Sequence, residues 1–70
     1  MQIAELRRKA GLTQVELARK AGVSVASIRA YEQGINKLYN MEIKNAVAIA
    51  TALGEDKINF YREIVSMLPN

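Results

Sequence analysis

The spacing of the residues that most readily end a helix constrains this 70-residue chain more than any other feature. Gly11, Gly22, Gly34 and Gly54 each follow a segment of helical character, and Pro69 follows a fifth. Glycine just past a helix closes it in the left-handed region without a Cβ penalty, and proline cannot continue it. This punctuation predicts five helices, over about Gln2 to Ala10, Gln14 to Ala21, Val25 to Gln33, Met41 to Leu53 and Lys57 to Leu68. No strand alternation or internal repeat is present, so the fold class is all-α, a compact five-helix bundle.

Start signals fall where the stops require them. Thr13-Gln14-Val15-Glu16 is a capping box, in which the Thr13 hydroxyl accepts from the Glu16 amide and the Glu16 carboxylate reaches back to the Thr13 amide. Ser24, Asn40 and Asp56 precede the third, fourth and fifth segments, each with an oxygen able to accept from a first-turn amide. Apolar spacing then predicts the buried faces: Ile3, Leu6 and Ala10 in the first helix, and Ile43, Ala46, Val47, Ala50 and Leu53 in the fourth. The fifth helix carries two stripes, Ile58, Tyr61, Val65 and Leu68 beside Phe60, Ile64 and Met67. So much apolar girth suits either a homodimer or partner surface, drawn from Ile58, Phe60, Tyr61, Ile64, Met67 and Leu68, or a helix wedged into the core.

Composition limits how such a bundle is held together and what it does. A chain without cysteine or histidine has no disulfide framework and lacks both usual ligands of a structural zinc. Half of its residues are hydrophobic and only 6% aromatic, which suits aliphatic helix packing. Its longest apolar stretch, Ala46 to Leu53 broken by Thr51, is far too short to span a bilayer, and the N-terminus has no signal-peptide h-region, so a soluble cytoplasmic protein is expected. General acid–base chemistry would have to rest on carboxylates already committed to capping or pairing. With no nucleophile and base set, Walker loop or dinucleotide fingerprint, no enzymatic activity and no cofactor are expected.

The formal charge of +3 is unevenly distributed. Residues 1–35 carry six Lys/Arg against three Glu, whereas the remainder carries four of each sign. The excess fits a surface that meets a polyanion, and equally a set of solvated helix faces.

The most specific signal is Thr13 to Gln33, TQVELARKAGVSVASIRAYEQ. Two short helices crossing steeply through a three-residue turn need a small side chain at closest approach, here Ala18. The turn needs a positive φ, here Gly22, and its inside must be filled, here by Val23 and Ile28. Leu17, Ala21 and Tyr31 complete the apolar set.

With these residues the chain resembles the helix-turn-helix DNA-binding domain of the phage repressor and Cro type, also called the XRE family. The resemblance runs from Ile3 to Gly54 through Ile3, Leu6, Arg7, Gly11-Leu12-Thr13-Gln14, Glu16-Leu17-Ala18, Ala21-Gly22-Val23-Ser24, Ile28, Tyr31-Glu32, Gly34, Ile49-Ala50 and Leu53-Gly54. It implies a repressor-like core over residues 1–54 of a single 1–70 domain, with residues 55–70 as a C-terminal helix suited to dimerisation. It also implies a transcriptional regulator, most readily a repressor, that binds a palindromic double-stranded operator as a homodimer. A second reading uses the same fold as an antitoxin- or adaptor-type module for a protein partner, a toxin or a regulator.

Residue roles follow from the resemblance. The third helix is expected in the major groove, with Ser24, Val25, Ala26, Ser27, Arg29, Ala30 and Gln33 facing bases. Phosphates are expected at Thr13 and Gln14, at the start of the second helix, and at Asn36, Lys37, Tyr39, Asn40 and Lys44. Gln14 matches a position that contacts phosphate and can brace a recognition-helix residue; free amides in the first turn of a helix favour an anion there on physical grounds alone, and a merely polar first residue is the alternative reading. Arg29 is read as forking onto guanine, or as pairing with a phosphate or with Glu32; Tyr39, as a backbone clamp or as a cover for the core. Arg7 and Glu32 match a pair that ties the first helix to the end of the third. Val25, Ala26 and Ala30 depart from the long polar residues common in relatives, and their short side chains can read only a thymine methyl.

Overall fold

The computed structural model describes residues 1–69. Five α-helices follow one another as α1 (Ile3–Lys9), α2 (Gln14–Ala21), α3 (Val25–Gln33), α4 (Ile43–Leu53) and α5 (Lys57–Ser66), with a 3-10 turn at Leu38–Asn40 between α3 and α4. No strand occurs among the described residues, and none of their helices is long and apolar enough to cross a membrane. The accessible surface, 4578 Å², is close to the roughly 4,400 Å² expected of a folded chain of this mass.

Local signals account for the helix ends. Thr13 caps α2 through the full capping box, Ser24 caps α3 through the Ser27 amide, and Asp56 caps α5 through the amides of Ile58 and Asn59. The glycine-ended helices all close with paired backbone bonds; at α2 the Gly22 amide donates to the Arg19 carbonyl and the Val23 amide to that of Ala18. Gly22 sits at φ 70°, where a Cβ would meet no atom within 4 Å, so the requirement for glycine there is one of backbone conformation and not of space.

One expected start is different. Asn40 does not cap α4: it ends the 3-10 turn, its own amide donating to the Lys37 carbonyl at 3.0 Å. The chain then stays extended through Met41 and Glu42, and α4 begins at Ile43 with no side-chain cap. The reason is burial: Met41 is drawn into the core, and the tighter turn before it brings it there.

The core gathers Ile3 of α1, Leu17 and Ala18 of α2, Ile28 of α3, Met41 of the segment before α4, Ala46, Ile49, Ala50 and Leu53 of α4, and Phe60 and Ile64 of α5. On α4 the buried stripe is Ala46, Ile49, Ala50 and Leu53, whereas Ile43 and Val47 face outward. Apolar residues cover both stripes, and packing against α2 selects the one that includes Ile49. On α5 the Phe60 stripe turns inward and the Ile58, Tyr61 and Val65 stripe outward, continued by exposed Leu68 beyond the helix end. Phe60 and Ile64, expected in a dimer surface, therefore lie in the core of the protomer itself, and Met67 is half-buried. Ala10, expected inside, is exposed at the end of α1.

Candidate nucleic-acid interface

α2 and α3 meet through the Gly22 turn, with Ala18 and Ile28 buried at the contact. Small size at Ala18 and full burial of Leu17 and Ile28 hold the two helices in one orientation, so the outer side of α3 is displayed rigidly. Along that side Ser24, Ala26, Arg29 and Gln33 are exposed, and Ser27 and Ala30 are half-buried. Val25 is drawn partly against the core, leaving only part of its surface outward. The Ser24 and Ser27 hydroxyls lie 2.8 Å apart, and the Ser27 amide donates to Ser24 Oγ at 3.1 Å, so both are already engaged within the cap.

A continuous polar network supports this face. Glu32, near the end of α3, accepts from Arg7 Nε at 2.6 Å and Arg7 Nη2 at 3.1 Å, and from Gln14 Nε2 at 3.0 Å. Arg7 Nη1 donates to the Leu12 carbonyl at 3.0 Å. Gln14 turns its other end outward, where its Oε1 accepts from Arg29 Nε at 3.3 Å. Side chains from α1, α2 and α3 are thus joined, and Arg7 and Glu32 keep only 12% and 7% of their side-chain surface exposed. The hydrogen bonds from Arg7 hold the Glu32 carboxyl below its usual range, against the opposing effect of burial, with help from Gln14 and from the charges of Arg7 and Arg8. Glu32 in turn raises the Arg7 guanidinium pKa.

The candidate phosphate contacts fall into separate groups. Thr13 is exposed, and its Oγ1 accepts from the Glu16 amide at 3.1 Å. Bonding to the Thr13 amide and hydroxyl holds the Glu16 carboxyl below its usual range. The first-turn amides of Gln14 and Val15 have no intrahelical acceptor and point past the same end of α2. Asn36, Lys37 and Asn40 line one concavity of about 280 Å³ with Tyr31 and Ile35. Lys44 stands apart on α4, exposed and 3.7 Å from Glu42. Tyr39 packs against the core.

Two residues at this surface were not singled out from sequence. Arg8 is close enough to Glu32 to favour its ionised form, and its signal was the Arg7-Arg8-Lys9 run at the end of α1. Ile35 is 71% exposed, although it occupies the position after a helix-ending glycine at which Leu12 and Val23 fold back on the core. Only the tertiary packing distinguishes it from them.

A rigid α2–turn–α3 unit with an outward basic and polar edge is the architecture of a helix-turn-helix domain, in which the second helix of the unit enters the major groove. The Helix-turn-helix family model matches residues 3–57, most of the chain. The protein belongs to that family, in its Cro and XRE branch, and is a DNA-binding transcription regulator. No curated protein matches it significantly.

Proposed function

We propose that the protein binds a short, near-palindromic operator as a homodimer and represses transcription from it in the cytoplasm. The observation that carries this reading is the position of Arg29, exposed on α3 and hydrogen-bonded to Gln14 at the start of α2. A guanidinium there can fork onto guanine O6 and N7, while the Ala26 and Ala30 methyls offer only thymine contacts. Gln14 and Thr13, with the α2 amides, would hold one phosphate, and Asn36, Lys37, Asn40 and Lys44 the backbone beside α3. With so few long polar side chains on α3, DNA shape supplies much of the specificity.

The homodimer reading is supported by Ile43 and Val47 of α4 and by Ile58, Tyr61 and Val65 of α5, exposed on helices that pack against each other, with exposed Leu68 just past the end of α5. An ordinary dimer buries about 800 Å² per partner, roughly one sixth of this surface. Two-fold pairing makes the operator palindromic, with half-sites about one helical turn apart.

Selection of bound duplexes from a randomised pool tests the reading. An enriched inverted repeat is expected, and enrichment of no motif at moderate salt would overturn it. For Lys37 and Lys44 in two protomers, about four neutralised phosphates give a slope of log K against log salt near −3.6.

The same exposed apolar set also supports a protein partner of toxin or regulator type. The double variant Gln14→Ala, Arg29→Ala separates the readings: a repressor loses operator binding and reporter repression with its oligomeric state intact, whereas an adaptor keeps its activity.

A further inference from the structure

We propose that the cleft between the end of α3, the 3-10 turn and the end of α5 is a small-molecule site, and that it takes an aromatic carboxylate whose binding competes with DNA. The site stands on its own geometry; only the competition rests on the operator reading above.

The cleft has a volume of about 530 Å³, within the roughly 300–1,000 Å³ of ligand-binding pockets. Met1, Leu38 and Met67, all half-buried, give it an apolar wall. Tyr31 and Tyr39 line it as well, also half-buried, together with the exposed side chains of Gln2, Gln33, Asn36 and Lys37. Among the described residues, none of these six polar side chains makes a hydrogen bond or ion pair within the protein. No fully buried polar atom lacks a partner, so both phenol hydroxyls remain accessible. The neighbouring Arg7, Gln14 and Glu32, by contrast, are engaged with one another. Unspent polar groups converging on an apolar wall are what fixes a ligand's orientation in a pocket.

Charge and shape select the ligand. Lys37 is the only cationic side chain of the lining and Glu32 the only carboxylate, and the charge of Glu32 is already compensated by Arg7. An anionic group is therefore favoured at Lys37, with a charge-assisted bond to its ammonium. The two phenol rings and the thioethers of Met1 and Met67 suit a flat aromatic body, since methionine adapts to an aromatic outline and its sulfur packs well against a ring.

Competition follows from the shared residues. Asn36 and Lys37 also line the concavity of about 280 Å³ proposed to meet the DNA backbone. This stretch is held at both ends, the Asn36 amide donating to the Ala30 carbonyl at 3.2 Å and the Lys37 carbonyl accepting from the Asn40 amide at 3.0 Å. One ammonium cannot serve a bound carboxylate and a phosphate at full strength together, so each ligand weakens the other by the same factor.

The probe is naphthylacetate, set against naphthylethanol, which keeps the ring and lacks the charge, and acetate, which keeps the charge and lacks the ring. Each is titrated into the isotope-labelled full chain and followed by amide chemical shifts. Naphthylacetate is expected to saturate with a Kd of about 1 mM, an ordinary affinity for its size, with shifts centred on Tyr31, Lys37 to Tyr39 and Met67. The alcohol should bind about five- to tenfold more weakly, and acetate not measurably. Lys37→Gln, at an exposed position, should erase the difference between acid and alcohol and leave the rest of the spectrum in place. No saturable shift, shifts centred instead on the exposed face of α4 and α5, or equal affinities of the unaltered chain for acid and alcohol would each overturn the site. Anisotropy on the selected duplex reads the competition: naphthylacetate at about ten times its own Kd should raise the apparent Kd for DNA about three- to tenfold. An unchanged Kd for DNA overturns the competition alone. Failure to select any duplex overturns the operator reading, and the amide shifts still decide the site.

Discussion

Replacing Glu32 by alanine is expected to be among the most destabilising single changes outside the apolar core. Its carboxylate accepts three hydrogen bonds, two from Arg7 and one from Gln14, and only 7% of its side chain and 12% of that of Arg7 are exposed. Removing one partner of a buried pair costs about 3–5 kcal/mol, whereas exposed pairs contribute about 0–1 kcal/mol. The low exposures put this pair near the buried limit. Arg7 nevertheless retains the Leu12 carbonyl and lies close enough to the surface to recover some water, which lowers the expected loss to about 2–3 kcal/mol. A chain of 70 residues has a total stability of about 3.5–10 kcal/mol, so the change removes a large part of it. With a urea slope near 1 kcal/mol/M for so small a protein, the unfolding midpoint followed by circular dichroism should fall by about 2–3 M. A double-mutant cycle with Arg7→Ala should give a coupling above about 1.5 kcal/mol. The joint replacement Arg7→Met, Glu32→Leu, which removes both charges and keeps the volume, should cost far less than either single alanine. A midpoint shift below about 0.5 M for Glu32→Ala, or a coupling near zero, would refute the argument that burial gives this pair its strength.

Three further outcomes follow from the same geometry. The Glu32 carboxyl is held below its unfolded value, so its contribution to stability is complete above the unfolded pKa of about 4.3 and is lost as pH falls through the lower folded value. The urea midpoint should accordingly drop on the acid side of about pH 4.5, and the drop should be shallower in Glu32→Gln. Gly22→Ala should cost about 1–2 kcal/mol by thermal melting, because it forces a Cβ into the left-handed region at φ 70° without a steric clash; a neutral result would mean the turn can relax. In sedimentation runs, Tyr61→Asp should dissociate the proposed homodimer while leaving the protomer folded, whereas Ile64→Asp should unfold it, since Ile64 lies in the core. Unchanged mass for Tyr61→Asp at all concentrations would exclude the α5 surface as the dimer contact.

The helix count, the capping box at Thr13 and the glycine turn at Gly22 are legible without any tertiary contact, because each depends on residues that are near neighbours in the chain. A cap oxygen and the amide it serves, or a glycine and the carbonyl it closes, are neighbours in the chain. Arg7 and Glu32 could be paired only through a family likeness, since no local pattern joins residues 25 positions apart. Tertiary structure alone decided which stripe of α4 and of α5 lies inside. Both helices carry apolar residues on two faces, and periodicity cannot choose between them until a neighbour is in place. It also decided that Met41 is buried and that Asn40 ends a 3-10 turn instead of capping α4. The link from Arg29 through Gln14 to Glu32 is likewise a tertiary fact. Hydrogen-bond partners are chosen by distance in space, and only the packing of α1, α2 and α3 brings these side chains within reach.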